Sequence, residues 1–210
     1  MKLGSWLKIT IEKMPNYFVT FKCGRAHMAE LTKKALSDAL IELLQEKRLD
    51  RITIAELTER AGVNRQTFYY HFSDIFDLLK WTVGYQYHKL LEKHGFHNGI
   101  FEPGAGTVVL DTIIDKRVIL LNVYRGIEEV QILRILHDLI DADMVKRINA
   151  MDPDLSEEDV TFASSFYTSG FIGIFIEWLN TGLESSSRGK VERLFPVVEH
   201  SLALLVAHLS

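Results

Sequence analysis

The chain has 210 residues, with 24 lysine and arginine residues against 28 aspartate and glutamate residues, and a formal net charge of −4. Apolar residues make up 47% and charged residues 25%, which are ordinary values for a globular protein and exclude a disordered or collagen-like chain. The most apolar run, residues 170–176, is far shorter than the ~20 residues that span a bilayer, so we expect no transmembrane helix. The single Cys23 excludes an intrachain disulfide and a cysteine-based metal site, and the expected location is the reducing cytoplasm.

Residues 1–28 differ from the rest of the chain. They alternate short apolar and basic pieces and end in His27-Met28. We interpret this segment as an N-terminal arm or extension, either disordered or non-native, outside the core fold. From Glu30 onward, apolar residues recur at helical spacing, which predicts a first helix that ends near Lys47.

Two short helices are predicted next. Thr53-x-x-Glu56 is a capping-box pattern that opens the first of them, and Gly62 fits the left-handed stop that follows it. Asn64 can cap the second, which runs to about His71. The pair has the lengths and the turn of a helix-turn-helix, although such pairs also occur as plain scaffold in helical bundles.

The remaining chain also indicates helices. Ser73 or Asp74 can cap a fourth helix that ends near His94, and the glycines and the proline within residues 95–106 predict a loop. Further helices are predicted over residues 107–116, 117–126, 128–151, 156–180 and 190–209. No convincing strand is present, so the predicted fold class is all-α.

The second short helix has an unusual composition, because it packs polar, aromatic and cationic side chains closely together. At 100° per residue, Phe68 and Phe72 share one side and define the buried face. Gln66, Thr67 and Tyr70 lie roughly opposite. A DNA major groove suits such a surface, since arginine pairs with guanine, glutamine pairs with adenine, and hydroxyl groups contact phosphates.

Four segments together resemble the N-terminal DNA-binding domain of the TetR family of transcriptional regulators: TKKAL at 32–36, ITI at 52–54, AGV at 61–63 and TFYYHF at 67–72. The resemblance implies a three-helix helix-turn-helix DNA-binding domain over residues 29–75 and a helical ligand-binding and dimerisation domain over residues 76–210. Within this family, residues 64–72, Asp77-Leu78, Trp81 and residues 177–179 are similar to the dihydroxyacetone-kinase regulator-like subgroup.

The resemblance also implies roles for individual residues. Arg65, Gln66 and Thr67 would approach bases, while Tyr69, Tyr70 and His71 would contact phosphates. Thr53 would place its hydroxyl against the DNA backbone, and Lys33 and Lys34 would lie near flanking phosphates. The predicted DNA-binding residues are therefore Lys33, Lys34, Thr53, Asn64, Arg65, Gln66, Thr67, Tyr69, Tyr70 and His71. The family often has a lysine where this chain has Ile75, so one phosphate contact is missing here.

A dimer interface is predicted on two helices of the C-terminal half. The predicted interface residues are Phe162, Phe166, Gly170 and Gly173 on the helix over 156–180, and Leu194, Val198, Leu202 and Leu205 on the last helix. Two such helices from each of two chains would form a four-helix interface, and the alternative is packing within one chain. A homodimer would place two recognition helices about 34 Å apart, which suits a palindromic DNA operator.

Aromatic residues suggest a ligand cavity in the same half. The candidate pocket residues are Trp81, Tyr85, Tyr124, Phe166 and Trp178. A ligand there would act as an effector by favouring one of two separations of the DNA-binding domains. The alternative is that these aromatic residues only fill the core, as most such residues do.

Signals of catalysis are weak. His88, His94 and His97 match no usual metal-ligand spacing, the glycine-rich loop lacks the lysine of a phosphate loop, and no G-x-S-x-G motif is present. We therefore expect no metal, no cofactor and no enzymatic activity. The sequence favours a dimeric DNA-binding regulator gated by a small molecule or by a partner protein. The alternative is a helical adaptor that keeps this fold without binding DNA.

Overall fold

The computed structural model describes residues 24–209, and all regular structure in that range is helical, as predicted. The α-helices are α1 (Gly24–Glu46), α2 (Ile54–Arg60), α3 (Arg65–His71), α4 (Ile75–Lys93), α5 (Ala105–Asp115), α6 (Arg117–Tyr124), α7 (Glu129–Met151), α8 (Glu157–Asn180), α9 (Arg188–Glu192) and α10 (Leu194–Leu209). Short 3-10 turns lie at Leu49–Arg51 and Ser185–Ser187. We call residues 24–75 the head and residues 76–209 the body. No helix in the described range is long and apolar enough to cross a membrane.

The first helix starts earlier than predicted. We expected it from Glu30, but α1 begins at Gly24, so residues 24–28 belong to the helix and not to the arm. Ala26, Met28 and Ala29 are good helix formers, which accounts for the extension. The rest of the predicted arm, including Cys23, lies outside the described residues.

Local caps set the start of each of the two short α-helices of the head. Thr53 Oγ1 accepts a hydrogen bond from Glu56 N at 3.3 Å and so begins α2. Gly62, at φ +69°, takes the left-handed conformation in the turn that follows, where a side chain would be strained. Asn64 Oδ1 accepts from Thr67 N at 2.7 Å and begins α3. These contacts confirm the predicted helix-turn-helix.

Asp74, rather than Ser73, caps α4. Its carboxylate accepts a hydrogen bond from Asp77 N at 2.8 Å, and the Asp77 carboxylate in turn accepts from Ser73 N at 3.0 Å. This reciprocal pair fixes the direction in which α4 leaves the head. Phe72, 3% exposed, packs its ring 6.0 Å from that of Trp81 on α4, so the first turns of this helix share the head's core.

The body is built around the long pair α7 and α8, which make the most extensive helix–helix contact. α5 and α6 pack against each other, α9 and α10 pack on α8, and α4 reaches α7. The Arg147 side chain of α7 forms an ion pair with Glu199 of α10, which ties the last helix to the pair. α1 of the head contacts α6 of the body, so the head and the body meet along these two helices.

The contact between head and body involves backbone atoms of the head. Asn122 Nδ2 on α6 donates a hydrogen bond to Leu44 O on α1 at 2.9 Å. A Cβ on Gly126 would lie 2.7 Å from Leu49 N and 2.8 Å from Asp50 N, so the turn after α6 rests directly on the 3-10 turn of the head. We call this contact, formed by Asn122 and Gly126 with Leu44, Leu49 and Asp50, the joint.

The last predicted helix is broken in two. We expected one helix over residues 190–209, but α9 ends at Glu192 and α10 begins at Leu194. Pro196 has no backbone N–H to bond the carbonyl of Glu192, so the hydrogen-bond ladder of a single helix cannot continue through this point.

Candidate nucleic-acid interface and internal cavity

The helix α3 presents one buried face and one exposed face. Phe68 is fully buried, as predicted from the helical period. Tyr69 is 58% exposed and Tyr70 is 82% exposed, and Arg65 and Gln66 are also exposed. Two exposed tyrosines on one short helix are an unusual surface for an isolated protein, since tyrosine normally buries much of its ring. The exposed face is therefore available to a partner.

Asn64 and Thr67 have structural partners within the chain. Asn64 Oδ1 accepts hydrogen bonds both from Thr67 N at 2.7 Å and from the Thr67 hydroxyl at 3.0 Å. The Thr67 side chain is partly buried, whereas Asn64 is exposed. These two bonds fix the start of α3 and thereby the positions of Arg65 and Gln66, its first two residues.

Thr53 is exposed at the start of α2, close to an ion pair between Lys47 and Glu56. The hydrogen bond from Lys47 is the largest cause of a lowered pKa of Glu56, and the backbone amide of Thr53 lowers the same pKa by a smaller amount. Glu56 thus takes part in both hydrogen bonds of the predicted capping box, one through its backbone N–H and one through its carboxylate. Because the carboxylate of Glu56 already balances the charge of Lys47, Lys47 is a poor candidate for a contact with a DNA phosphate.

Ion pairs separate the cations of the head into two groups. Arg48 and Arg51 pair with Asp50 at 3.0 and 3.7 Å, and Arg60 pairs with carboxylates of α1. The structure describes side chains from Met28 onward, and among these Lys33, Lys34 and Arg65 of the head take part in no ion pair. These are the cations that the sequence assigns to DNA.

Aromatic rings of α4 support the two lysines of α1. Trp81 and Tyr85 stack with their ring centres 5.0 Å apart and their planes 8° from parallel. Lys33 Nζ lies 5.9 Å from the Trp81 ring centre, and Lys34 Nζ lies 5.4 Å from the Tyr85 ring centre. Cation–π attraction holds both ammonium groups in place. We call these four residues the lysine platform.

The lysine platform lies close to the end of α3. The pKa of His71 is lowered, first by burial and second by the charge of Lys33. His71 is partly buried and its ring packs edge-on against that of Tyr70, with centres 4.9 Å apart. Lys33, His71 and Tyr70 therefore form one continuous surface with the exposed face of α3.

A partly open cavity of about 420 Å³ lies between the helices of the body and α1. Residues of α1 and of α4 to α8 line it, and most of them are leucine, isoleucine, valine or phenylalanine. The polar lining residues are Thr82, Gln86, Tyr87, Lys89, Lys93, Thr112, Lys116 and Tyr124. This volume is in the range of small-molecule sites in proteins.

Only one of the five predicted pocket residues, Tyr124, lines this cavity. Trp81 and Tyr85 belong to the lysine platform, and Phe166 is 64% exposed on the outside of α8. Trp178 is buried elsewhere and donates from Nε1 to Glu184 O at 2.9 Å. The prediction is wrong for these four residues, because it used aromatic content without knowing which face of each helix turns inward.

The aromatic residues that do line the cavity, besides Tyr124, are Tyr87, Phe171 and Phe175. The apolar stripe of α4 could have identified Tyr87, which lies one turn after Val83 on the same face. Tyr87 donates a hydrogen bond to the buried carboxylate of Asp143, and burial together with Asp143 raises the pKa of Tyr87 well above its usual range. The phenol is thus a fixed, neutral part of the wall.

The residues of α8 that are predicted to form a dimer interface are exposed. Phe162 is 58% exposed and Phe166 is 64% exposed, although both are large apolar side chains. Gly170 and Gly173 continue the same exposed stripe, and a Cβ at either position would meet no atom within 4 Å. Within their own chain these four residues therefore leave an exposed stripe, and the Phe166 ring contacts Tyr167 at the edge of the stripe, with ring centres 5.2 Å apart.

The prediction on the last helix selected the wrong face. Val198 is 6% exposed and Leu202 is fully buried in the chain's own core, while Leu194 and Leu205 are partly buried against it. The exposed apolar residues of α10 are instead Val197, at 59%, and Leu204, at 63%. This helix is apolar almost all round, so its period could not distinguish the inner face from the outer one.

Both parts of the chain match family models. Residues 36–80 match the model described as bacterial regulatory proteins of the tetR family. Residues 107–200 match a TetR model described as a transcriptional regulator C-terminal region. The chain belongs to the TetR family of transcriptional regulators, whose members are DNA-binding proteins and not enzymes.

Two solved structures have a similar fold. One, titled dihydroxyacetone kinase operon activator DhaS, has a TM-score of 0.52 at 16% identity, covering 85% of this chain and 96% of its own. The other, a TetR transcriptional regulator from Rhodococcus sp. RHA1, has a TM-score of 0.55 at 17% identity, covering 85% of this chain and 98% of its own. A search of curated proteins found no match.

Proposed function

We propose that this regulator binds a palindromic DNA operator as a homodimer through α3 and that a small molecule in the cavity of the body controls this binding. The observation that carries the proposal is the exposed face of α3 beside Lys33, Lys34 and Arg65, three cations of the head that have no carboxylate partner in the described residues. A surface of this kind matches a phosphate backbone next to base edges.

The proposal gives each group on this surface a role. Arg65 and Gln66, at the start of α3, read base edges in the major groove, where recognition helices usually meet bases. Tyr69, Tyr70 and His71 contact phosphates on one side. Asn64 and Thr67 orient the start of the helix. Thr53, Lys33 and Lys34 contact the flanking backbone and fix the register.

The exposed stripes of α8 and α10 support a dimer. Phe162 and Phe166 supply apolar area, while Gly170 and Gly173 let a second helix approach closely. Val197 and Leu204 extend this surface on α10, which packs against α8 in the same chain. Two copies of this helix pair would form a four-helix interface.

One substitution tests the dimer. Phe166→Asp places a charge on the exposed stripe without touching the core of the chain, so it should convert the protein to a monomer in sedimentation equilibrium. Val118→Asp is the matched control, because Val118 on α6 is 60% exposed and lies outside the proposed interface. A Phe166→Asp protein that stayed dimeric would exclude this face as the interface.

The helix α4 links the cavity with the DNA-binding surface. It carries Trp81 and Tyr85 of the lysine platform, and it also carries Thr82 and Gln86 of the cavity wall. A ligand that prefers one position of α4 would therefore prefer one position of the head. The concave, largely apolar cavity favours a small molecule over a partner protein as the effector.

The experiment that tests DNA recognition is selection of duplexes from a randomised pool by the purified protein at physiological salt. We expect enrichment of an inverted repeat whose half-sites lie about one helical turn, or a multiple of it, apart. Affinity for the selected site should fall steeply as salt rises, because bound phosphates release counterions.

A helical adaptor without DNA binding is the second candidate. The net charge of −4 and Ile75, in the place of the family's frequent lysine, favour it. If the selection enriches no sequence at either physiological or low salt, the adaptor is the better description and the operator-binding proposal is wrong.

A further inference from the structure

The wall of the cavity is suited to an alkyl chain. Leu79, Leu90, Ile113, Leu136 and Phe171 come from four helices and present hydrocarbon to the same space. The cavity holds about 420 Å³, so a ligand that fills it removes a large apolar surface from water. Sugars and small polyols would lose their hydrogen bonds to water on entering this cavity, and its mostly apolar wall would offer few hydrogen bonds in exchange.

The charged residues that line the cavity are all positive. They are Lys89, Lys93 and Lys116, whose exposure places them at the rim, and no aspartate or glutamate lines the cavity. Within the described part of the chain, none of the three forms an ion pair, whereas Lys80 pairs with Asp138 on the neighbouring α7. Lys89 Nζ lies 5.7 Å from the ring centre of Tyr85, a cation–π contact that leaves its charge without a carboxylate. The rim is therefore a site of positive charge without carboxylate partners in the described residues, beside an apolar interior.

Four of the five polar lining residues of α4 form a single stripe, and Tyr87 lies outside it. Thr82, Gln86, Lys89 and Lys93 are spaced at four, three and four residues, which places them on one face of the helix over about 16 Å. Thr82 is only 4% exposed, and its hydroxyl has no hydrogen-bond partner in the described residues. A buried hydroxyl without a partner is costly, so a ligand oxygen near Thr82 would relieve that cost.

We propose that the cavity binds a single-chain amphiphile with an anionic head group. The alkyl chain lies in the apolar interior along α4, and a carboxylate or phosphate head contacts the lysines of the rim. Thr82 donates a hydrogen bond to an oxygen carried by the far part of the chain. This inference rests on the proposed function only in treating the cavity as the effector site.

The test compares four probes of equal chain length by calorimetry on the full-length protein: decanoate, decyl phosphate, decanol and decyltrimethylammonium. We expect decanoate or decyl phosphate to bind, decanol to bind about tenfold more weakly, and the ammonium probe not to bind. Three exposed charge contacts that each contribute a few-fold account for that difference. The stronger of the two anions identifies the head group. Equal binding of all four probes would overturn the inference.

Variants separate the lysines from general charge effects. Replacing Lys89, Lys93 and Lys116 by Gln should reduce affinity for the anionic probe by about tenfold and leave decanol binding unchanged. The control replaces Lys80, Arg134 and Lys190, which do not line the cavity, by Gln and should leave both affinities unchanged. Equal losses in the two triple variants would contradict a specific role of the rim.

The Thr82 contact has its own test. ω-Hydroxydecanoate should bind more tightly than decanoate, and Thr82→Val, which keeps the shape of the side chain, should abolish that difference while decanoate still binds. An unchanged difference would exclude Thr82 as the partner.

The two proposals fail separately. If no probe binds, the amphiphile inference is wrong while operator selection can still succeed. If decanoate binds but does not change affinity for the selected operator, the ligand class stands and the proposed control of DNA binding is wrong.

Discussion

The head and the body of this protein obtain their shapes in different ways. In the head, side chains of Thr53, Asn64 and Asp74 cap the helices, so each boundary is set within a few residues. After α4, the helices α5, α6, α7 and α9 of the body begin without a side-chain cap, whereas Ser156 caps α8. The head therefore owes its form to local signals, and the body owes its form to long-range packing.

The two regions also differ in how completely their interiors are filled. Leu36, Leu40, Leu57 and Phe68 in the head are all fully buried, and their helices close on one another. The body surrounds a cavity of about 420 Å³. A filled core resists deformation, whereas helices around a cavity can move when it is occupied. The comparison indicates a closely packed helix-turn-helix domain beside a body that can deform more easily.

The largest expected effect is on the filled core of the head. Phe68→Ala removes a fully buried ring and should lower the free energy of unfolding by about 3–5 kcal/mol, measured by urea denaturation. Val118→Ala, at a position 60% exposed, should change it by less than about 0.5 kcal/mol. Similar small values for both variants would mean that the head is not the closely packed unit described above.

The joint should be the next most sensitive position. In Gly126→Ala the new Cβ would overlap the backbone at Leu49 and Asp50, so the head and the body must separate slightly. We expect a loss of about 1–3 kcal/mol in the free energy of unfolding. Gly189→Ala is the control, since nothing lies within 4 Å of that Cβ, and it should be neutral or stabilising by up to ~1 kcal/mol. Equal stability of the two variants would show that the joint tolerates a side chain.

Substitutions on α3 distinguish base reading from phosphate contact. Arg65→Ala should relax the preference at one base pair of each half-site at a cost of about 1–3 kcal/mol, measured as competition between selected and mutated operators. Tyr70→Ala should weaken binding to all sequences to a similar extent. If Arg65→Ala and Gln66→Ala both left the preference intact, the assignment of base contacts would be incorrect.

The smallest expected effect is on the titration of His71. Its pKa should lie below the usual value near 6.5, and Lys33→Gln should raise it only part of the way, because burial is the larger cause. NMR titration of the imidazole measures this value. Lys34→Gln should leave it unchanged, since Lys34 lies over Tyr85. An identical His71 pKa in the Lys33 variant would place Lys33 away from α3.

The lowered pKa of His71 also makes the free energy of unfolding depend on pH. The unfolded chain binds the His71 proton more tightly than the folded protein does. The contribution of this group to the unfolding free energy is therefore greatest above pH ~6.5 and decreases as the pH falls through that value towards the lower folded pKa.

The sequence was sufficient for the head, because its signals act over a few residues. The caps at Thr53 and Asn64 lie where the pattern predicts them, and Phe68 is buried as the helical period requires. The roles of Arg65 and Gln66 in reading DNA stay predictions. Only the start of α1 was placed too late, since no cap marks it in the sequence.

The sequence was not sufficient for the interior of the body. Four of five pocket residues were misplaced, and Val198 and Leu202 were assigned to the outside although they are buried. In helices that are apolar on several faces, the inward direction depends on which helix packs alongside, and that information lies far away in the sequence. The cavity itself is a property of six helices together.

The joint has a consequence for how such regulators diversify. On the body, the joint depends on the side-chain amide of Asn122 and on the absence of a side chain at Gly126. On the head, it involves backbone atoms: Asn122 bonds Leu44 O, and Gly126 lies against Leu49 N and Asp50 N. Backbone atoms are the same whatever residues carry them. A foreign head whose backbone follows the same path would keep the contacts of the joint. Its side chains would still have to fit Trp81 and Tyr85 of α4, which here contact Phe72 and the two lysines of α1. Recombination that preserves both sets of contacts would exchange the helix-turn-helix domain while retaining the body and its cavity.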